Sequence, residues 1–379
     1  MTEHPGEQVH QGTHLRGPVL VIGAGLLGAS IGLGLRVRGL DVVLSDSSPS
    51  TEAVARDIGA GRLLADIDAA GERLAPELVV VATPPDVTAR IVAGALTAYT
   101  DAVVVDICSV KESVLRDLEA DPDAAPHLSR YVGTHPMAGR ERSGPVAARA
   151  ELFTGAPWVL CSHERSSVDA VLRAESLAVD LGAVPSRMSA AEHDAAVALI
   201  SHLPQVVSSL VASRLQDSPA QSLSLAGNGL RDVTRIAASD PRLWVQILSA
   251  NADRLVEILY GVREDLDRLI TTLEDPRADG ARLDMAQLMS EGNAGQARVP
   301  GKHGSPPNSF ARLIVLVDDT PGQIARLLTE IGQTGINLED FRLEHSPGRQ
   351  IGLAEVSVLP GKRQELTDSL THRGWKVVQ

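Results

Sequence analysis

Four groups of residues in this chain carry side chains that can do chemistry. His135 lies in Tyr131-Val132-Gly133-Thr134-His135-Pro136, where a strand-like run gives way to a loop. An imidazole titrating near neutrality suits proton removal. The same placement also suits a loop histidine hydrogen-bonded for structure. His202, in Ile200-Ser201-His202-Leu203-Pro204-Gln205, stands beside a proline that should kink its helix and free backbone groups. His193 precedes it by nine residues, which at about 100° per residue puts the two on opposite faces of a straight helix. His193 therefore reads as structural. Asp232 and Arg235 are three apart on one helical face. They read either as a surface ion pair of little worth or as a carboxylate-binding arginine held by its aspartate. Arg140, Glu141 and Arg142 form a charged cluster just after His135.

These residues need a framework, and the stretch from Val19 to Ile31 supplies its first part. An apolar run enters Gly23-Ala24-Gly25-Leu26-Leu27-Gly28 and an apolar helical pattern leaves it. Such a strand–glycine turn–helix sequence cradles a pyrophosphate. Gly23 makes the turn, Gly25 lets phosphate approach, and Gly28 lets helix and strand pack. The N–H groups at the helix start, that of Leu27 among them, face the anion. Asp46 closes the next strand at the spacing expected of a ribose-binding carboxylate. Ser47, Ser48 and Pro49 follow it, with no nearby cation for a 2′-phosphate, so NAD is expected over NADP. The apolar runs Leu78–Ala82 and Ala102–Val105 read as strands buried on both faces. Thr83 and Ser109 follow them and should share an edge with the glycine loop.

The chain has 379 residues, enough for two or three domains, and a net charge of −13, which argues against a general nucleic-acid surface. Cys108 and Cys161 read as reduced core residues, and no metal-ligand spacing is visible. Residues 1–16 read as a disordered polar tail, not a signal peptide. No apolar run reads as membrane-spanning, and a cytoplasmic location is expected. The pattern predicts a doubly wound Rossmann-type α/β domain over 17–188 and an all-helical block over 189–290. Asp240-Pro241 opens a long helix there. A flexible linker is expected over 291–309. A ferredoxin-like βαββαβ unit is expected over 310–379.

Taken together, these motifs resemble the prephenate/arogenate dehydrogenase family of tyrosine biosynthesis. The resemblance rests on the glycine loop with Asp46, on Ser109-Val110-Lys111, on His135-Pro136-Met137-Ala138-Gly139 with Glu141 and Ser143-Gly144, on Ser201-His202-Leu203-Pro204, and on Asp232-Val233-Thr234-Arg235-Ile236-Ala237. Asp319-Thr320-Pro321-Gly322 and Gly335-Ile336-Asn337 look like an ACT domain. The resemblance implies NAD-dependent oxidative decarboxylation of prephenate or arogenate, with His135 accepting the ring hydroxyl proton and Ser109 bonded to His135 or that hydroxyl. It implies that Arg235, oriented by Asp232, holds a substrate carboxylate, that His202 lines the pocket and that Glu141 acts near its entrance. It also implies an intertwined homodimer. L-tyrosine or another aromatic amino acid is expected between paired ACT units, near Asp319, Gly322 and Asn337. Gln205 stands where many relatives carry a second histidine, and Arg140 where a small polar residue is common, which leaves prephenate and arogenate both open. A β-hydroxyacid dehydrogenase would typically use a lysine base on its helical domain, yet no lysine occurs between Lys111 and Lys302. A non-catalytic NAD or amino-acid sensor would need neither His135 nor the Asp232/Arg235 pair.

Overall fold

Strand and helix alternate from the start of the computed structural model, which describes residues 13–138, 144–299, 310–345 and 351–378. β1 (Val19–Ile22), α1 (Leu26–Val37), β2 (Val42–Ser45), α2 (Pro49–Asp57), β3 (Arg62–Leu63), α3 (Leu64–Ala69), β4 (Leu78–Val81), α4 (Pro85–Ala98), β5 (Val103–Asp106), α5 (Glu112–Ala120), β6 (Tyr131–Pro136), β7 (Pro157–Cys161), α6 (Val168–Asp180) and β8 (Val184–Arg187) follow one another. They build one sheet in the order β3-β2-β1-β4-β5-β6-β7-β8. Neighbours are parallel except at β6/β7. Every residue of β4 and β5 is buried, since helices cover both faces. Alternate residues feed opposite cores: Val19, Val21 and Val80 on one face, Leu20, Val79 and Val81 on the other. Strand order reverses between β1 and β4, so the crevice beyond their carboxyl ends is where a ligand belongs.

The glycines of the first turn are fixed by contact. Gly23 has φ +102°, and a Cβ there would lie 2.3 Å from the Ala82 carbonyl oxygen. A Cβ on Gly28 would come within 1.8 Å of the Gly23 carbonyl oxygen. A Cβ on Gly25 would meet nothing within 4 Å.

Helices then take over. Ser189 and Glu192 form a reciprocal capping box that starts α7 (Ala190–Val197). A π turn, Ala198–His202, joins it to α8 (Leu203–Ser213). The expected distortion therefore precedes Pro204, which sits in the first turn of α8. A wider turn accommodates the ring where an α turn would crowd it. The resulting run, Ala190–Ser213, contains an 18-residue window of mean hydropathy 1.6 and is, by length and composition, long and apolar enough to cross a membrane, contrary to expectation. Its Ala, Val and Leu content gives it that profile, yet it buries His193, Asp194 and His202 against the sheet domain. After α9 (Ala220–Leu223) and α10 (Asn228–Thr234) comes a 3-10 turn, Arg235–Ala238. Asp240 caps α11 (Pro241–Ala250), accepting from the Arg242 N–H at 2.9 Å. The single long helix expected from Asp240 is broken at Asn251, and α12 (Ala252–Glu274) begins beyond it.

α13 (Ala281–Gln296) carries helix six residues into the stretch expected to be a linker. β9 (Ala311–Asp318), α14 (Gln323–Gly332), β10 (Asp340–His345), β11 (Ile351–Val358), α15 (Arg363–His372) and β12 (Lys376–Val378) follow. They make an antiparallel sheet in the order β10-β11-β9-β12. Leu327, Ile331, Leu366 and Leu370 cover it from one side, joined by Trp375. The chain falls into two compact units, Met1–Val262 and Arg263–Gln379.

The glycine contacts make a paired prediction. Gly28→Ala should destabilise the fold by about 1–3 kcal/mol through overpacking. Gly25→Ala should leave stability near wild type while weakening dinucleotide binding. Urea unfolding and nucleotide titration of both variants check this.

Candidate active site

The glycine loop and Asp46 are one structure. The Ala24 N–H donates to Asp46 Oδ2 at 2.7 Å, and the Ser48 N–H donates to Oδ1 at 2.8 Å. Gly25 is the N-cap of α1 and provides no side-chain cap, so the first N–H groups of the helix, including that of Leu27, have no partner within it. Open space above Gly25 and those donors fit a pyrophosphate, and Asp46 keeps lone pairs for ribose hydroxyls. Thr83 follows β4 on the same edge, its hydroxyl 3.1 Å from that of Thr88. The residues present thus fit a dinucleotide.

His135 sits within β6, opposite Val159 of β7, and not on a loop after the strand. Its Nδ1 lies 2.9 Å from His193 Nε2, and His193 Nδ1 lies 2.7 Å from Asp194 Oδ1. Asp194 also accepts the Lys111 N–H at 2.9 Å and the Glu112 N–H at 2.8 Å, which caps α5. His193 and Asp194 are both buried. The straight-helix premise behind the reading of His193 does not hold. The π turn absorbs about one extra residue, reducing the angle to His202 to roughly 80°. Of the two partners expected for Ser109, His135 or the substrate hydroxyl, no bond to His135 is formed among the described residues; His135 Nδ1 faces His193 instead. Ser109 remains half-buried at the carboxyl end of β5. Burial pushes the His135 pKa well below the usual histidine value, helped by His193, Lys111 and His202, so the ring is neutral near pH 7.

His202 is buried, and Asn251, at the break between α11 and α12, faces its Nδ1 at 3.2 Å. The same amide donates to the Asp194 carbonyl at 2.8 Å. Asn251 Nδ2 can only donate, so the His202 proton is on Nε2. The Trp244 ring meets His202 edge-on, centroids 6.1 Å apart. Burial lowers the His202 pKa to about 4, against an opposing pull from Asp194. Gln205, one turn on, is buried, with Ser239 Oγ 3.5 Å from its Oε1.

Beneath this row lies a buried ionic cluster that sequence reasoning missed. The Lys111 ammonium pairs with Asp106 and donates to the Thr134 carbonyl at 2.8 Å. The Tyr131 hydroxyl donates to Asp106 Oδ2 at 2.7 Å. Removing one partner of such a pair typically costs about 3–5 kcal/mol. Asp106 ends a buried strand, a position that could have flagged it. His193 and Asp194 could have been flagged as an adjacent His-Asp pair just inside a capping box.

Asp232 ends up in the last turn of α10 and Arg235 opens the 3-10 turn after it; both side chains are exposed. Glu141, with Arg140 and Arg142, lies outside the described residues. Asp319 and Gly322 lie in the turn between β9 and α14, and Asn337 is exposed between α14 and β10. Among the described residues no group of three His, Cys, Asp or Glu side chains could hold a metal ion.

Comparisons with known proteins agree with this layout. Residues 31–186 match the family model for the prephenate dehydrogenase nucleotide-binding domain, and residues 189–291 that for its dimerization domain. A probable prephenate dehydrogenase, NovF, of Streptomyces niveus is 33% identical over 363 residues, covering 94% of this chain and 98% of the relative. The crystal structure of prephenate dehydrogenase from Aquifex aeolicus, in complex with hydroxyphenyl propionate and NAD+, superposes with a TM-score of 0.65 at 27% identity. It covers 74% of this chain and 97% of its own. A Synechocystis arogenate dehydrogenase structure gives a TM-score of 0.58 at 26% identity, covering 73% and 99%.

His202 makes stability depend on pH. Its folded pKa is about 4 and its unfolded value near 6.5, so the unfolded chain binds the extra proton in between. Stability should fall as pH drops through that window and level off below it. His202→Asn should flatten the decline, as melting temperatures between pH 7 and 4 would show.

Proposed function

The chain belongs to the prephenate dehydrogenase family, NAD-dependent oxidoreductases that act on prephenate or arogenate in tyrosine biosynthesis, and from that premise we propose how its residues divide the work. The observation that carries the proposal is His135: neutral, half-buried, and on the strand beside β5 at the edge that holds the glycine loop. NAD+, held by the α1 N-terminus and Asp46, supplies a hydride acceptor when bound. His135 takes the ring hydroxyl proton as the carbinol carbon is oxidised to a ketone. That ketone is conjugated to the carbon bearing the carboxylate, so CO2 leaves with its bonding electrons passing into the ring, which becomes aromatic. His202 offers its Nε2–H to the substrate, and Arg235, with Asp232 nearby on the helix, holds a carboxylate. Ser109 lies close enough in sequence to the β5 edge to meet the hydroxyl or the cofactor, Thr83 borders the nucleotide, and Glu141 acts at the entrance.

The same premise supports a homodimer. α12 exposes Val256, Val262, Leu266, Ile270 and Leu273, an apolar row without cover in one chain. We assign the C-terminal βαββαβ unit as a ferredoxin-like ACT domain, on the strength of its element order and its β10-β11-β9-β12 sheet. L-tyrosine, or another aromatic amino acid, is its proposed ligand, near Asp319, Gly322 and Asn337. Buried Gln205 lies next to the substrate region and bears on the choice between the keto acid and the amino acid.

His135→Asn should lower kcat by about 10²–10⁴-fold while NAD+ binding persists; a variant with most of its rate intact removes His135 from the base role. Rates with prephenate and arogenate, with NAD+ and NADP+, with and without tyrosine, decide substrate and regulation. The expectation is a preference for NAD+ and inhibition by tyrosine.

A further inference from the structure

We propose that Asp194 and His193 are positioning residues that hold the His135 ring as its Nδ1–H tautomer, leave Nε2 bare for the substrate, and receive the positive charge once His135 is protonated. The proposal rests on His135 being the base.

The direction of the chain is set by backbone. Asp194 receives the N–H groups of Lys111 and Glu112 at the start of α5. These donors cannot be reversed, and a carboxylate among them can only accept. His193 Nδ1, 2.7 Å away, must then carry a proton, which leaves His193 Nε2 as an acceptor. His135 Nδ1 lies 2.9 Å from that acceptor and must donate. A neutral imidazole has one N–H, so His135 Nε2 holds a lone pair. A helix N-terminus thereby fixes the tautomer of a histidine on the neighbouring strand, two side chains away.

The same row can move charge. A proton arriving at His135 Nε2 makes the ring an imidazolium. Passing the Nδ1 proton to His193 Nε2 returns His135 to neutrality and puts the charge on His193, whose Nδ1–H faces the Asp194 carboxylate. One proton enters, one moves on, and no electrons are transferred. The surroundings favour that destination. His135 faces the cations or potential cations Lys111, His202 and His193, with Asp106 already engaged by the Lys111 ammonium and the Tyr131 hydroxyl. His193 is in direct contact with an anion.

Asp194→Asn offers a sharp test. Its amide oxygen must accept from the α5 backbone, so its NH2 turns to His193 Nδ1 and reverses every bond, giving His135 an Nε2–H. Selective 15N-histidine NMR of the full-length protein, with His135 assigned by its loss in His135→Gln, reads the tautomer directly. The wild type should show Nδ1–H at His135, and Asp194→Asn should show Nε2–H. kcat should fall by about 10²–10⁴-fold with NAD+ affinity unchanged, and Asp194→Glu should restore part of the rate. If Asp194→Asn does not fold, the wild-type spectrum and His193→Phe, which keeps the α5 cap but breaks the row, carry the test: the variant should lose kcat with little change in KM. An Nε2–H tautomer in wild type, or full kcat in His193→Phe, overturns the proposal. Tautomers as expected beside an active His135→Asn would overturn the base reading and leave the tautomer assignment standing.

Discussion

The carboxylate of Asp194 is the contact on which the site depends. It belongs to the helical region, yet it completes the start of α5 in the nucleotide-binding sheet domain. A helix start has N–H groups that need acceptors, and here the acceptor arrives from more than eighty residues along the chain. That single side chain docks α7 on the sheet edge and, through His193, sets the ring of His135. The Asp194 carbonyl is also engaged, by Asn251, which in turn faces His202. Residues from β6, α7, the π turn and the α11/α12 break are thus brought to one place by hydrogen bonds that share a residue.

The two helix irregularities have the same purpose. A π turn and a broken helix both cost backbone regularity, and each places a polar side chain that a continuous α-helix would turn elsewhere. The π turn rotates His202 toward the side of His193. The break at Asn251 lets its amide point back at His202 and at the Asp194 carbonyl. The outcome is a pair of neutral histidines whose free nitrogens differ: a donor on His202 and, by the inference above, an acceptor on His135. A ligand group lying between them meets opposite polarities.

The sheet domain could be read in the sequence because its signals are local. Gly23, Gly25 and Gly28 with Asp46 name a turn, a helix start and a strand end, and the short valine runs fix buried parallel strands. Asp240-Pro241 marked the start of α11 for the same reason. His135 and His202 could be picked out by type, although His135 stands within β6 and not on a loop after it. Their partners could not. The role of His193 depends on helical phase, and a π turn changes phase without a residue that announces it. The Asp194 cap joins positions far apart in the chain, which no window of sequence contains. A bond from Ser109 to His135 or to the substrate hydroxyl was implied by the family resemblance alone; in the structure His193 stands at His135 Nδ1.

Lys111 deserves a different kind of attention, as a charge that solvent does not reach. Its ammonium is 1% exposed and is held by Asp106 and the Thr134 carbonyl. Mobile ions screen fields between exposed charges over about 8 Å at physiological ionic strength, but they do not enter a packed interior. The potential that Lys111 and its partner impose at His135 is therefore a property of the fold and not of the medium. Surface charges, including the net −13 of the chain, are muted by added salt; this buried pair is not. The proton affinity of the ring is in this sense built in dry, and the contribution of this pair persists while the salt of the surrounding medium changes.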